Sequence, residues 1–130
     1  MVGPYMKMEL IGEGSFGEVW SAQSVSPPSV LRDAKVEIVV VKIPKRTRPD
    51  SAPSLDIEAQ ILRKLNHPRI IRIRDFVPGV YLTMDHAAGN VAELILRGTL
   101  SIGQIARFLY GILEGLEYIH IKGFLHLDLK

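Results

Sequence analysis

The 130-residue chain contains no cysteine, which excludes disulfide bonds and thiolate metal sites. It has no apolar run of membrane-spanning length, and no early segment with the order of a signal peptide. Its net charge is only +2, so the composition gives no reason to expect a nucleic-acid partner. We therefore expect one modest soluble domain, cytoplasmic or nuclear, with neither nucleic acid nor a membrane among its partners.

Hydrophobic periodicity predicts five strands and three helices in this chain. The strands are expected at 5–11, 18–23, 36–43, 70–76 and 80–84, and the helices at 55–65, 91–96 and 101–122. Proline-containing stretches at 24–29 and 44–53 separate these segments as loops. The order of three strands, one helix, two strands and further helices indicates an α+β fold, in which an antiparallel sheet carries one packed helix and a helical part follows.

The last helix has clear start and stop signals. Ser101 and Gln104 have the spacing of a capping box, and Gly123 is a plausible C-terminal stop. Gly111 and Gly115 lie inside the helix, where each glycine costs about 1 kcal/mol relative to alanine. We therefore expect another element to pack closely against this helix, whose apolar stripe runs from 102 to 119.

Three glycines, Gly12, Gly14 and Gly17, form a G-x-G-x-x-G-x-V pattern between the first two predicted strands. Glycine lets the backbone approach a ligand closely. In a dinucleotide-binding fold the third glycine opens a helix, but here Val19 and Trp20 continue a strand. A P-loop would end in Gly-Lys-Ser or Gly-Lys-Thr, which this stretch lacks. The glycines alone are compatible with a phosphate cover and with a plain hairpin turn.

Lys42 and Glu58 each occupy a position that is unfavourable for an unpaired charge. Lys42 interrupts the most apolar strand, where an ammonium group must be paired or reach water. On a helical wheel Glu58 projects between Leu62 and Leu65, in the middle of the apolar face of its helix. Lys42 could keep its methylene groups buried while its ammonium group reaches water, and Glu58 could lie at the edge of the apolar face and point to solvent. An ion pair between the two satisfies both, and the sequence therefore predicts that pair.

Asp128 and Lys130 follow the long helix and a glycine. A carboxylate beside a lysine can accept a proton from an alcohol while the lysine stabilises developing phosphate charge. Considered alone, the two residues are better explained as a charged, frayed terminus.

These features occur in an order that resembles the eukaryotic-type protein kinases. The glycine hairpin is followed by Val39-Val40-Val41-Lys42, by the helix glutamate Glu58, and by His126-x-Asp128-x-Lys130. The resemblance extends from 8 to 130, and Lys130 is typical of the serine/threonine branch. It implies a kinase N-lobe at 1–86, formed by a five-stranded antiparallel sheet and the family's αC helix. The hinge and the first helices (αD, αE) of an incomplete C-lobe would follow at 87–130.

The resemblance also implies the site residues. Lys42 would orient the ATP phosphates, Glu58 would hold Lys42, Asp128 would orient the acceptor hydroxyl and Lys130 would contact the γ-phosphate. Met84 matches the gatekeeper, Asp85 and Ala87 would bond adenine through their backbone, and Asn90 would lie near the ribose. The implied ATP-binding residues are Ile11, Gly12, Glu13, Gly14, Ser15, Phe16, Gly17, Val19, Val40, Lys42, Met84, Asp85, Ala87 and Asn90. The expected cofactors are ATP and Mg²⁺, and no residue of this sequence is assigned to the metal.

Two departures from the family pattern leave two functions open. Leu127 stands where the family usually has arginine, so regulation by activation-loop phosphate is not expected. The sequence ends at Lys130, before the family's metal-binding residues and activation segment. The chain is then either the ATP-binding part of a kinase that phosphorylates protein serine or threonine, or an inactive, truncated, kinase-like module. Such a module would bind nucleotide or act in regulation, associating with itself or a partner through the apolar face of the long helix.

Overall fold

The computed structural model describes residues 1–15, 17–25, 36–45 and 51–129. The elements are β1 (Tyr5–Glu13), β2 (Gly17–Ser24), β3 (Ile38–Pro44), α1 (Ser51–Arg63), β4 (Ile73–Val77), β5 (Tyr81–Asp85), α2 (Val91–Leu96) and α3 (Ile102–Ile121). The five strands form one antiparallel sheet in the order β1-β2-β3-β5-β4. This architecture confirms the predicted α+β fold, with one helix after the third strand and further helices after the fifth.

The chain divides into two compact units. The first, which we call the sheet unit, comprises Met1–Lys64 and Arg72–His86. The second, the helical unit, comprises Leu65–Ile71 and Ala87–Lys130. No helix within the described ranges combines the length and apolarity needed to cross a bilayer.

The sheet has two differently covered faces. On one, which we call the tyrosine face, a buried cluster contains Tyr5, Ala22, Val39, Val41 and Tyr81. On the other, the helix face, Leu82 is buried together with Leu55 and Ala59 of α1. Partly buried side chains complete this second cluster, namely Leu62, Ile73, Phe76 and Met84. Helix α1 therefore covers one face of the sheet.

Helix α1 begins four residues earlier than the sequence predicts. It starts at Ser51 and includes Pro53, because a proline in the first turn removes only an N–H that would have no helical partner. It ends at Arg63, so the prediction that Leu65 shares its packing face is wrong. The helix packs instead through Leu55 and Ala59.

The segment Leu65–Ile71 belongs to the helical unit and packs on α3. A Cβ added at Gly115 would lie 3.4 Å from the carbonyl oxygen of Arg69. The Asn66 N–H donates a hydrogen bond of 2.8 Å to the Tyr118 hydroxyl, and the ring of His67 stacks on Tyr118 at 4.8 Å. These contacts confirm that the α3 glycines accommodate a neighbouring element. They also explain why β4 begins at Ile73 and not at 70, as the sequence predicts.

The predicted signals at the ends of α3 are confirmed. The Ser101 hydroxyl accepts a hydrogen bond from the Gln104 N–H at 3.2 Å, and the Gln104 side chain accepts one from the Ser101 N–H at 2.8 Å. Beyond the other end, Gly123 adopts a φ of 85°, a left-handed conformation that favours glycine. A helix end that satisfies its own backbone groups in this way is defined by local sequence.

Candidate functional site

Strand β3 directs Lys42 to the helix face of the sheet. The register places Lys42 opposite Val19 of β2 and opposite Leu82 of β5. Directly opposed residues of antiparallel strands share a face, and Leu82 is fully buried in the cluster that includes α1. The Lys42 side chain therefore projects on the same side of the sheet as α1.

Helix α1 brings Glu58 to this lysine. Glu58 lies three residues after Leu55 and four before Leu62, so its side chain flanks the apolar stripe of the helix. Lys42 Nζ lies 2.6 Å from Glu58 Oε2. The two side chains are 26% and 35% exposed, so water screens the pair and it contributes about 1 kcal/mol or less to stability. The ion pair that the sequence predicts is confirmed, whereas its role in binding a ligand stays a prediction.

Because the Lys42–Glu58 ion pair contributes little to stability, we expect it to have a role other than stabilising the fold. An ammonium group carries three N–H donors, so Lys42 can hold a further anionic acceptor while it is bonded to Glu58. The carboxylate also holds the ammonium group in position. Together they make a fixed cation at a partly exposed position, which suits recognition of a phosphate group.

Apolar side chains surround Lys42 on the same face. Val40 precedes Lys42 by two residues and therefore shares its side of β3, and Val40 is opposite Met84 of β5. Val19 lies opposite Lys42 on β2. All three apolar side chains are half-buried. Around Lys42, the helix face thus combines apolar side chains with a cation, which fits a ligand that has an apolar end and an anionic end.

The three glycines of the hairpin between β1 and β2 lie in different structural surroundings. A Cβ at Gly17 would overlap the carbonyl oxygen of Ile43 in the adjacent strand, so Gly17 is required for strand packing. Among the described residues, no atom lies within 4 Å of a Cβ added at Gly12 or Gly14, and neither has a left-handed φ. Gly12 and Gly14 therefore leave open space beside the backbone. The Gly14 N–H donates to the Gly17 carbonyl at 2.9 Å and closes the turn.

The remaining hairpin residues lie at the surface. Ile11, Glu13 and Ser15 are exposed, and Phe16 falls outside the described residues. Glu13 Oε1 lies 2.5 Å from Lys45 Nζ, just beyond the end of β3. The hydrogen bond and the positive charge of Lys45 lower the pKa of the Glu13 carboxyl below its usual value. This ion pair links the tip of the hairpin to the far end of β3.

Asp85, at the end of β5, is held by two arginines that the sequence analysis did not assign to the site. Its N–H donates to the Arg72 carbonyl at 3.0 Å, and its carboxylate lies 3.4 Å from Arg72 Nε and accepts a hydrogen bond from Arg74. The hydrogen bond to Asp85 raises the pKa of the Arg74 guanidinium. Arg74 also pairs with Glu37 at 2.9 Å. The position of the last residue of β5 is therefore fixed by both its backbone and its side chain.

The other predicted site residues belong to the helical unit. Ala87 follows the end of β5, and Asn90 caps α2 by accepting a hydrogen bond from the Glu93 N–H at 2.9 Å. The Asn90 side chain thus has a capping role independent of any ribose contact. Asp128 donates its N–H to His126 Nδ1 at 3.2 Å, next to Leu127, whose φ of 61° is uncommon for a bulky residue. Lys130 falls outside the described residues.

The structure therefore brings five of the predicted residues together on the helix face: Val19, Val40, Lys42 and Met84 project from the sheet, and Glu58 contacts Lys42 from α1. Asp85, at the end of β5, and the described residues of the glycine hairpin belong to the same unit. Arg72, Arg74 and Glu37, which support Asp85, are not predicted from the sequence. The alternation of Arg72 and Arg74 about Ile73 was a visible signal, but their partner depends on pairing between strands.

Comparison with known proteins identifies the family. A family model described as protein kinase domain matches residues 5–130. The probable CTD kinase subunit alpha homolog of Encephalitozoon cuniculi is 31% identical over 130 residues, which cover 97% of this chain and 36% of the relative. Serine/threonine-protein kinase ppk11 of Schizosaccharomyces pombe is 33% identical over 131 residues, covering 97% of this chain and 40% of the relative.

Human serine/threonine-protein kinase STK11 is 27% identical over an alignment of 138 residues, which covers 100% of this chain and 31% of that protein. The chain thus spans between 31% and 40% of the length of these three relatives. The family match includes the glycine hairpin, Lys42, Glu58 and Asp128 within one continuous range. The chain belongs to the protein kinase family, and its relatives are serine/threonine kinases.

Proposed function

We propose that this chain carries the ATP-binding part of a serine/threonine protein kinase. In the complete domain, the activity would transfer the γ-phosphoryl group of ATP to serine or threonine hydroxyls of a protein substrate. The observation that supports the proposal is the Lys42–Glu58 ion pair of 2.6 Å beside Val19, Val40 and Met84 on one face of the sheet. Kinase family membership supplies the reaction class.

The proposed site would bind both the phosphate end and the adenine end of ATP. Lys42 would bind the α- and β-phosphates through its free N–H donors, and Glu58 would hold the ammonium group in place. Val19, Val40 and Met84 would cover the adenine ring, because flat apolar rings are held by apolar side chains. Asp85 and Ala87 would bond the adenine edge through their backbone groups.

The glycine hairpin would cover the phosphates. Gly12 and Gly14 have open space beside their backbone, which lets a ligand approach closely, whereas Gly17 already has a packing role. The other residues proposed to line the ATP site are Ile11, Glu13, Ser15, Phe16 and Asn90.

Asp128 and Lys130 would act on the acceptor side of the reaction. The Asp128 carboxylate would orient the substrate hydroxyl and accept its proton, while Lys130 would stabilise charge at the γ-phosphate. Bound Mg-ATP supplies the phosphoryl group, with the metal neutralising phosphate charge. Among the described residues, no group of three His, Asp or Glu side chains is placed to hold a metal ion.

In this proposal, 1–86 is the kinase N-lobe, and 87–130 is the hinge and the start of the C-lobe. A cytoplasmic or nuclear location is part of the same proposal, because ATP is available there.

A second candidate is a nucleotide-binding or regulatory module without catalysis. One observation favours it: the apolar stripe of α3 is largely exposed, with Ile102 at 87%, Leu109 at 56% and Leu113 at 63%. Exposed apolar patches commonly mark interaction surfaces, so this face would support self-association or pairing with another protein. Transfer of labelled phosphate to a generic protein substrate, lost in Lys42→Met, would refute this candidate.

The nucleotide site can be tested by thermal unfolding with millimolar Mg-ATP. A ligand at one hundred times its Kd stabilises a folded protein by about 2.7 kcal/mol, which raises the Tm measurably. Lys42→Met removes a charge-assisted contact, so we expect the Kd to rise about 10- to 100-fold and the Tm shift to shrink accordingly. Lys64→Met is the matched control, because Lys64 is exposed just after the end of α1.

Two outcomes would contradict the proposal. One is the absence of any Tm shift for the unmodified chain at millimolar Mg-ATP. The other is an equal shift for Lys42→Met and Lys64→Met, which would mean that the nucleotide binds without the Lys42 ammonium.

A further inference from the structure

The position of helix α1 decides whether Glu58 reaches Lys42, and two polar side chains of α1 contact the β4–β5 hairpin. Asp56 contacts the turn of this hairpin, and Arg63 contacts its first strand. We propose that Asp56 is a positioning residue for the Lys42–Glu58 ion pair and acts through the N–H of Gly79. The consequence for nucleotide binding rests on the proposed function, whereas the consequence for the ion pair does not.

The hairpin turn presents a backbone donor to the helix. The turn contains Pro78 and Gly79, and the Val80 N–H donates to the Val77 carbonyl at 3.0 Å. Gly79 has a φ of 68°, as required at the third position of a type II turn with proline before it. The Gly79 N–H is not used by that turn bond, and it donates to Asp56 Oδ1 at 2.9 Å. The Asp56 carboxylate thus ties α1 to a turn with a defined conformation.

Arg63 makes a second contact at the other end of the helix. Its guanidinium carbon lies 5.0 Å from the centroid of the Phe76 ring. Phe76 is opposite Leu82 in the sheet and therefore lies on the helix face. Exposed contacts of this kind are modest individually, but here they supplement the apolar packing of Leu55 and Ala59.

The directions of these side chains around the helix explain the coupling to Glu58. At about 100° per residue, Asp56 and Arg63 project on one flank of the buried stripe and Glu58 projects on the other. Rotation of α1 that carries Glu58 away from Lys42 therefore also breaks the Asp56–Gly79 hydrogen bond. The ion pair and the hairpin contacts hold the helix from opposite sides.

The proposal predicts that the coupling between Lys42 and Glu58 depends on Asp56. The coupling is measured by urea unfolding of the full chain with Lys42→Met, Glu58→Gln and the double variant, each with and without Asp56→Ala. We expect Asp56→Ala to reduce the coupling by at least half. Asp56→Asn should retain it, because the amide oxygen can still accept the Gly79 N–H. Gln60→Ala, at an exposed position of the same helix, is the matched control.

Unchanged coupling in Asp56→Ala would overturn the proposal, and so would an equal reduction in Asp56→Ala and Gln60→Ala. A cycle subtracts the general destabilisation of each single variant, so a simply less stable helix does not mimic the effect. If Asp56→Ala does not fold, Asp56→Leu removes the same hydrogen-bond acceptor at a similar side-chain size, again with a reduced coupling expected and an unchanged one contradictory.

A second readout uses Mg-ATP. Asp56→Ala should raise the Kd about fivefold, as expected when one hydrogen bond that orients a binding group is lost. The same change should have no further effect when Glu58→Gln is already present. If the unmodified chain binds no Mg-ATP, the proposed function fails while the urea cycle still tests Asp56. If it binds and Asp56→Ala binds equally well, the role of Asp56 fails while the proposed function stands.

Discussion

Replacement of Gly17 by alanine should weaken the sheet unit, whereas the same replacement at Gly12 should not. A Cβ at Gly17 would overlap the carbonyl oxygen of Ile43, a backbone atom that cannot move without shifting β3. Gly12 has no atom of the described residues within 4 Å of an added Cβ, and its φ is not left-handed. The two variants add the same methyl group to the same hairpin, so each is a control for the other.

The magnitudes follow from these two environments. Overpacking that displaces backbone costs about 1–3 kcal/mol, so Gly17→Ala should lower the free energy of unfolding by about 2 kcal/mol. Alanine at Gly12 restricts the unfolded chain without native strain, which stabilises by about 0.4–1 kcal/mol. For a chain of this size, 1 kcal/mol corresponds to about 4 °C in Tm, so the variants should differ by about 10 °C.

Urea unfolding followed by tryptophan fluorescence measures this difference. Trp20 is the only tryptophan and lies in β2, three residues after Gly17. Equal unfolding midpoints for the two variants, or a greater loss for Gly12→Ala, would refute the packing argument. If Mg-ATP approaches the backbone at Gly12, the Gly12→Ala variant should also bind nucleotide more weakly while it remains fully folded.

Two further predictions concern stability in each unit. Burial and the hydrogen bond to Asp75 raise the pKa of Tyr81 to about 12 from an ordinary value of 10.0, so its stabilisation is complete below pH 10 and is lost as the pH rises through 12. The urea midpoint of the unmodified chain should therefore fall more steeply between pH 10 and 12 than that of Tyr81→Phe, and parallel curves would contradict this. In the helical unit, Ser101→Ala removes the capping box and should cost about 1 kcal/mol, seen as an earlier loss of helical circular dichroism on heating. Ser101→Asp, which keeps a cap, should show no such loss, and an equal loss in both variants would contradict the capping argument.

Features governed by local sequence could be predicted without the structure. Glu58 projects beside the apolar residues of its helix and therefore needs a cationic partner, and Lys42 lies in an apolar strand and therefore needs an anionic one. The capping box of Ser101 and Gln104 depends only on residues three apart. In each case the kind of partner can be predicted from the physical requirement of one side chain.

Features governed by distant contacts could not be predicted in this way. The segment Leu65–Ile71 resembles the end of a helix and the start of a strand, but it packs on α3 beside Gly111 and Gly115. Gly17 looks like a ligand-binding glycine, and only the approach of β3 reveals its packing role. Both outcomes depend on segments that are remote in sequence, which local periodicity does not report.

The partners of Asp85 and Asp56, unlike those of Lys42 and Glu58, could not be predicted from the sequence. Asp85 is held by Arg72 and Arg74, and Asp56 accepts a hydrogen bond from Gly79, which lies 23 residues away. Each of these charges has an unremarkable position in its own strand or helix. Their contacts follow from the register of β4 and β5 and from the docking of α1, and neither is encoded in a local pattern.

The most direct test of the proposed ATP site is to observe on which face of the sheet the methyl resonances shift when nucleotide binds. In a methyl-labelled sample, Mg-ATP should shift the resonances of Val19, Val40 and Met84, which share the helix face with Lys42. Val39 and Val41 are the internal controls, because they alternate with Val40 on β3 and are buried on the tyrosine face. The largest shifts are expected on the helix face. Largest shifts at Val39 and Val41, or no shifts at saturating Mg-ATP, would contradict this expectation.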